Sequence, residues 1–396
     1  MESNHMSMDA GEQIDALVIG AGPAGLMAAE ELAKAGARVV VAEAKPSPAR
    51  KLLMAGKSGL NITKDQPSQE FVATYNSPLL APILEGFGPR EMVIWTRALG
   101  IEVFTGTSGR VFPHAMKASP LLRAWLLRLG AAGVDLRTRW RWTGTDSAGG
   151  YAFDTPQGMQ VLRPKVCVLA LGGASWARLG SDGAWTGILA EKGVRIAPWQ
   201  PANMGFAVDW SAHMARHFGQ AVKGASLRVG AQRERGEFVI SQRGLEGGGI
   251  YAVSRALRMG GALEVDLMPD VARADITAKL ASMKRGETRV NRLRKLGLAP
   301  QAVALVQEFA RDAQIEDAVK HLSPRLIGPR PLDEAISVAG GIAAESLTGD
   351  LELRAIPNLF ACGEMLDWEA PTGGYLLTAA WATGQRAGRA AGRRLE

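Results

Sequence analysis

Cysteine is scarce in this chain: Cys167 and Cys362 are the only two among 396 residues, and they lie far apart. Neither belongs to a C-x-x-C, so a dithiol relay of the thioredoxin-reductase kind is not expected. Each lies within an apolar run, and both read as inert core thiols. Long hydrophobic runs are missing too. No stretch reaches the ~18 apolar residues that span a bilayer, and no signal peptide precedes the first strand. Met1–Ala10 is polar and reads as a tail. The chain is therefore expected to be cytoplasmic. His213 and His217 stand four apart, but the glutamate of H-E-x-x-H is absent, and no metal site is expected. No internal repeat or low-complexity segment is apparent.

What is present describes an ordinary globular protein with room for two or three domains: 47% hydrophobic and 21% charged residues. Lys and Arg number 46 against 39 Asp and Glu, a net charge of +7. Much of the excess falls in Lys284–Lys295 and in Arg386, Arg389, Arg393 and Arg394. No nucleic-acid module or aromatic interleaving accompanies these runs, so they read as solvated helix faces and nucleic acid is not an expected partner.

The chain is organised around Gln13–Ala44, QIDALVIGAGPAGLMAAEELAKAGARVVVAEA. Ile14–Ile19 is the short apolar run of a strand buried on both faces. Gly20, Gly22 and Gly25 spell G-x-G-x-x-G. The first allows the tight turn, the second lets backbone approach a pyrophosphate, and the third lets helix and strand pack closely. Pro23 suits the first helical turn, where free N–H groups attract phosphate. Gly36 ends the helix. The strand Arg38–Ala42 then delivers Glu43, whose carboxylate can accept both hydroxyls of an adenosine ribose and would repel a 2′-phosphate. Strand, turn, helix and acid agree on a dinucleotide, without choosing between FAD and NAD.

Beyond Glu43, Arg50, Lys51 and Lys57 with Gly56, Gly59 and Asn61 form a basic loop read as neither helix nor strand, suited to wrap an extended cofactor. Ser119-Pro120 reads as the N-cap and N1 of a helix burying Leu121, Leu122, Trp125, Leu126 and Leu129. Val134–Trp142 and Gly150–Thr155 alternate as antiparallel strands. Val161–Leu171 is a buried strand running into Gly172-Gly173, a second place for close backbone approach. From Pro198 the texture turns to alternating strands and then to helices. The expected organisation is a first part of the dinucleotide domain at 11–200, an inserted β domain at 201–269, an inserted helical subdomain at 270–325, and a return segment at 326–396. That segment holds the strand Pro357–Glu364 and a helix after Pro371-Thr372-Gly373-Gly374-Tyr375. No second G-x-G-x-x-G stands in a βαβ setting, so a separate NAD(P)H domain is not expected.

Strand-Gly363-Glu364-x-x-Asp367, a glycine turn and a final helix resemble the closing signature of glutathione-reductase-type FAD oxidoreductases. GEMLDWEAPTGGYLLTAAWATG, RVFPHAMKAS, LGGASWARLGSDG and SVAGGIAAESL resemble blocks of the YhiN/BaiN-like flavoproteins, bacterial FAD-dependent enzymes that include aminoacetone-oxidase-like members. The resemblance spans nearly the whole chain. It implies an α/β fold: an FAD-binding Rossmann-like domain with an inserted small β-barrel-like domain and a helical subdomain. One block departs. Where the family carries a GGGRCN-like loop, this chain has AGKSGLN, with Ser58 and Leu60 in place of the arginine and cysteine, so chemistry resting on that cysteine is not carried over.

The implied FAD contacts are Gly20, Ala21, Gly22, Pro23, Ala24, Gly25, Glu43, Ala44, Lys51, Gly59, Asn61, Trp142, Gly172, Gly173, Gly363, Glu364, Asp367, Thr372, Gly373, Gly374, Tyr375 and Leu376. Asp367 is expected at the ribityl or pyrophosphate region. The Thr372–Tyr375 turn is expected at the flavin N1–C2=O edge, where its N–H groups and helix dipole would stabilise reduction. Electrons are carried by the isoalloxazine. Trp176, Arg178, Trp368 and Tyr375 are candidates at the reacting face, with Arg110 and His114 as further polar side chains. The leading expectation is hydride transfer between flavin and a small organic substrate, with NAD(P)H as a transient donor. An oxidase of a small amine using dioxygen, a flavin-dependent RNA-modifying protein and a non-enzymatic redox sensor remain open, as does the oligomeric state.

Overall fold

The computed structural model describes residues 11–57 and 59–396, so the polar tail Met1–Ala10 and Ser58 lie outside the described residues. Two compact units emerge: residues 11–200 with 338–396, and residues 201–337.

In the first unit, β1 (Glu12–Ile19), α1 (Pro23–Lys34) and β2 (Val39–Glu43) form the opening βαβ. The basic loop is partly helical. Arg50-Lys51-Leu52-Leu53-Met54-Ala55 forms α2, which suits a run of good helix formers, and Leu52 is its buried anchor. The short strands β3 (Thr63–Lys64), β4 (Val103–Thr105) and β5 (Arg110–Pro113) pair antiparallel in the order β3-β5-β4. Between them runs α3 (Pro89–Ala98). The next helix, α4 (Ala118–Ala131), starts ahead of the expected cap: Lys117 is the N-cap, and Ser119 lies inside the first turn. The four strands β6 (Asp135–Thr138), β7 (Arg141–Thr145), β8 (Tyr151–Thr155) and β9 (Gly158–Leu169) complete this stretch.

The main sheet runs β6-β2-β1-β9-β8-β7, and β10 (Leu359–Ala361) pairs with β9. Pairings β6–β2, β2–β1, β1–β9 and β9–β10 are parallel, whereas β7–β8 and β8–β9 are antiparallel. The stretch expected as one antiparallel strand, Val134–Trp142, is thus two strands of different kinds. Its first half extends the parallel sheet beside β2, and the break falls at Arg139, whose φ is 61°.

The last helix, α5 (Tyr375–Arg393), lies against α1. Their contact depends on glycine: a Cβ on Gly384 would overlap Ala24 O, and one on Gly388 would stand 2.6 Å from Ala28 O. A buried carboxylate on α1 is braced by two indoles. Glu30 accepts from Trp125 Nε1 (2.7 Å) and Trp95 Nε1 (3.3 Å), and Lys34 lies 3.0 Å away. Burial alone would raise its pKa, but Lys34 and the two indoles hold the carboxyl below its ordinary range.

Both cysteines are core residues. Cys167 on β9 is 1% exposed and Cys362, just after β10, is 0% exposed. Burial pushes both thiols well above their ordinary pKa. Native protein is therefore expected to leave both unlabelled by a thiol-specific reagent at pH 8, and denatured protein to react at two sites. Labelling of folded protein would overturn this.

In the second unit, an antiparallel six-stranded sheet runs in the order Glu264–Asp266, Gln220–Val229, Gln232–Ser241, Gly244–Glu246, Phe206–Ala207, Gly328–Pro329. Helix Gly248–Arg258 buries Ile250, Val253 and Leu257 in the sheet's core. A second cluster joins Leu293, Val303, Val306 and Val319 from the helices that follow. The return boundary shifts. Because Gly328–Pro329 is an edge strand of this sheet, residues 326–337 belong here, and the first unit resumes at Val338 rather than at residue 326.

Candidate active site

The G-x-G-x-x-G turn sits where β1 ends. A Cβ on Gly20, whose φ is 103°, would overlap Ala170 O, and one on Gly25 would overlap Gly20 O. These two glycines are there for packing. Gly22 is different: nothing lies within 4 Å of the Cβ it lacks, and no side chain caps the helix it begins. The turn thus leaves an open face lined by backbone at a helix N-terminus, the arrangement that receives phosphate. Glu43 lies beside it, accepting from Ala21 N (3.0 Å) and Lys45 N (2.8 Å). Burial raises its pKa, partly offset by those two N–H groups. Ala44 follows it, and Trp140 N donates to Glu43 O (2.9 Å).

The carboxyl ends of β9 and β10 meet next to this turn. Gly363, with φ 78°, has room for no Cβ because Ala24 Cβ would be 2.8 Å away. A Cβ on Gly173 would overlap Val338 Cγ2 and stand 3.1 Å from Glu364 Cγ. Lys51 from α2 reaches in, pairing with Glu364 Oε2 (2.6 Å) and Ser175 Oγ (2.9 Å). The other oxygen of Glu364 accepts from Val338 N (3.3 Å). No spacing in the sequence signals this Lys51–Glu364 pair, because 313 positions separate its members.

A second group forms where β3 and β5 meet the start of α5. Gly374 has φ 100°, and a Cβ there would stand 2.5 Å from Thr63 backbone. Thr378 on α5 donates to Thr63 Oγ1 (2.9 Å). Gly373, with φ 118°, faces Arg110 and Asn61: their Nε and Nδ2 atoms would be 3.6 and 4.0 Å from its Cβ. Asn61 Oδ1 is buried without a hydrogen-bond partner.

The remaining candidates divide. Tyr375 is 5% exposed, packs tilted against Phe71 with ring centroids 4.8 Å apart, and its hydroxyl donates to Gln66 (3.0 Å). Trp368 is 3% exposed and its Nε1 donates to Gly363 O (2.9 Å). Both side chains shape the turns around them. Trp176 has φ 64°, and the exposed Arg178 guanidinium stands 5.2 Å over its ring. Trp142 is buried on β7 with Nε1 unpartnered. Asp367 accepts from Gly340 N (3.1 Å), and burial, with Glu345 and Glu369 nearby, raises its pKa. A Cβ on Gly59 would meet Met116 Cε at 2.9 Å. Leu60, standing where the resembled family has cysteine, is 1% exposed in the core. Leu376 packs against that core. His217 lies in the second unit, its Nδ1 3.0 Å from Gln220 Oε1.

Residues 14–390 match the family model described as HI0933-like protein Rossmann domain. The chain belongs to this HI0933-like family. The family and fold expected from the sequence are thereby borne out, and the protein is an FAD-dependent oxidoreductase. Among curated relatives, the 3-dehydro-bile acid delta(4,6)-reductase of Clostridium scindens is 26% identical, aligned over 95% of this chain and 98% of its own. The ribosomal RNA dihydrouridine synthase of Escherichia coli is 25% identical over 94% of this chain and 96% of its own. Among solved structures, the 3-ketosteroid-delta4-(5alpha)-dehydrogenase of Rhodococcus jostii superposes with a TM-score of 0.56 at 18% identity, covering 98% of this chain and 99% of that one. This last likeness is one of fold.

The residues present fit FAD. The open face at Gly22 can take a pyrophosphate, and the orphaned polar atoms of Asn61 and Trp142 are buried groups that a polar cofactor can satisfy. Among the described residues no helix is long and apolar enough to cross a membrane.

Proposed function

We propose that this HI0933-like protein is a cytoplasmic, NAD(P)H-linked flavin reductase that adds hydride to a carbon–carbon double bond conjugated to a carbonyl, in a small organic substrate. The observation carrying this reading is the near full-length similarity to two proteins whose named reactions share that step. A 3-oxo-delta(4,6) bile acid and a uracil ring both present such a bond, and reduction saturates it.

FAD, when bound, supplies the hydride. The chain's own residues bind and polarise. In this reading Gly20, Ala21, Gly22, Pro23, Ala24 and Gly25 cradle the pyrophosphate, and Glu43, with Ala44 and Trp142 near it, receives the adenosine ribose. Lys51, Glu364 and Asp367 hold the ribityl region. Gly172, Gly173 and Gly363 admit it closely, with Gly59 and Asn61 on the α2 side. Thr372, Gly373, Gly374, Tyr375 and Leu376 would offer N–H groups and the positive end of α5 to the pyrimidine edge of a bound flavin. Trp176 and Arg178 remain candidates for the substrate side.

A second reading, uridine in RNA as the substrate, is favoured by one contrast. The arginines of the C-terminal run are neutralised: Arg386 and Arg393 pair with Asp350, Arg389 with Glu31, and Arg394 with Glu352. Lys279, Lys284, Arg285 and Arg294 are exposed, and among the described residues no carboxylate pairs with them. Four free cations on two successive helices, Arg273–Ala281 and Arg289–Leu296, and the loop between them suit a phosphate backbone.

One experiment tests both. Anaerobic holoprotein is mixed with NADH or NADPH, bleaching of the flavin band is followed, and the reduced protein is then challenged with enones, uridine-containing RNA, or dioxygen. Nicotinamide bleaching with enone-dependent reoxidation is expected. Salt-sensitive reoxidation by RNA alone would move the assignment to the second reading. Reduction by an amine with turnover on dioxygen would overturn both in favour of an oxidase, and inertness to every donor would leave a redox sensor.

A further inference from the structure

We infer that Arg110 is the charge that sets the reduction potential of the flavin, acting with Asn61 as a two-pronged reader of its pyrimidine edge. This rests on the FAD site proposed above.

Three observations converge on one spot. First, Arg110 opens β5, which β3 holds in register through Lys64 and Thr63. Thr63 in turn is locked to α5 through Thr378 and by the close approach of Gly374. The Arg110 side chain is thereby delivered to Gly373, in the left-handed turn that starts a 19-residue helix. Second, this cation is exposed, and among the described residues no carboxylate forms an ion pair with it. By contrast Arg38 and Arg137, beside β2 and on β6, pair with Glu12, and Arg163 on β9 pairs with Asp146. Third, Asn61 beside it carries a buried, unpartnered Oδ1.

These atoms ask for complementary chemistry. An unpaired guanidinium seeks an acceptor that carries or develops negative charge. An orphaned amide oxygen seeks a donor. The N1–C2=O–N3–H edge of an isoalloxazine offers both side by side, and two-electron reduction places negative charge at N1–C2=O. Arg110 and the dipole of α5 then stabilise the reduced anion more than the neutral oxidised ring. Lys64, whose Nζ stands 5.7 Å over the Tyr375 ring, is the nearby basic residue committed to an aromatic partner, so it serves as the comparison.

The test uses FAD-loaded protein and measures the two-electron midpoint potential and the dissociation constant for sulfite, whose flavin adduct is anionic. Arg110→Met is expected to lower the preference for reduced over oxidised flavin at least tenfold, a shift of about 30 mV or more toward negative potential. It should weaken sulfite binding by a similar factor. Arg110→Lys should recover most of both, and Lys64→Met should move neither. If Arg110→Met loses flavin during purification, oxidised and reduced FAD are titrated separately into the apoprotein, and equal losses for the two forms would overturn the inference. An unchanged potential and sulfite affinity in flavin-loaded Arg110→Met would also overturn it while leaving the FAD site intact. Failure of the parent protein to take up FAD at all would instead remove the site reading beneath it.

Discussion

Gly22→Val is expected to leave the apoprotein folded while removing its affinity for FAD. The residue's φ of −80° and ψ of 180° are extended values that a β-branched side chain adopts readily. Nothing in the protein stands within 4 Å of the added Cβ. The folding cost reduces to exchanging one N-cap residue for a poorer one, under about 1 kcal/mol. In the proposed FAD site, however, the open space is the face through which backbone N–H groups of α1 would reach the phosphate, and two methyl groups there would hold the pyrophosphate off. We expect at least a hundredfold loss of FAD affinity, about 2.7 kcal/mol. Urea unfolding of the apoprotein and a flavin fluorescence titration check the two halves separately. Gly25→Val is the contrast. Its Cβ would overlap Gly20 O, so it should lose the fold before the cofactor. Tight FAD binding by folded Gly22→Val would place the pyrophosphate elsewhere.

The same glycines show what was legible in the sequence. A buried βαβ turn has few solutions, so Gly20–Gly25 and Glu43 could be read from local spacing, as could the apolar strands on either side. The strand ending at Gly363-Glu364 was legible as a local apolar run, and its tie to a cofactor came from the family resemblance. Local patterning says nothing about partners hundreds of residues away, so Lys51 could be named as a contact but not paired with Glu364 and Ser175. Helix ends were misread where composition competed with geometry: Ser119-Pro120 looks like a cap and first position, yet the backbone turns helical from Ala118. Residues 326–337 carried no mark of membership, because a two-residue edge strand such as Gly328–Pro329 is specified by the sheet it joins. Gly384, Gly388 and Gly392 recur every four residues in the last helix, and such a glycine period is a legible sign of close helix approach.

That period carries the second large effect: Gly384→Val should destabilise the protein by roughly 3 kcal/mol, at the top of the range for overpacking. In an isolated helix the sign would be the reverse, since replacing glycine with alanine in a helix interior gains about 1 kcal/mol. Here the interface decides. The new Cβ of Gly384 meets a backbone carbonyl, Ala24 O, which cannot rotate aside. At Gly392 the Cβ would meet only the methyl of Ala35, at 3.1 Å, and a shift of a few tenths of an ångström relieves it. A gradient follows, with Gly392→Ala near neutral, Gly384→Ala clearly destabilised and Gly384→Val most of all, measured by urea unfolding of the apoproteins. The effect reaches the site because Ala24 lies in the first turn of α1 and its methyl faces Gly363. Pushing α1 off α5 displaces the open face at Gly22 from the Gly363-Glu364 strand end, so FAD affinity should fall together with stability, unlike in Gly22→Val. A Gly384→Val protein as stable as its parent would mean that α1 and α5 do not approach as closely as these glycines allow.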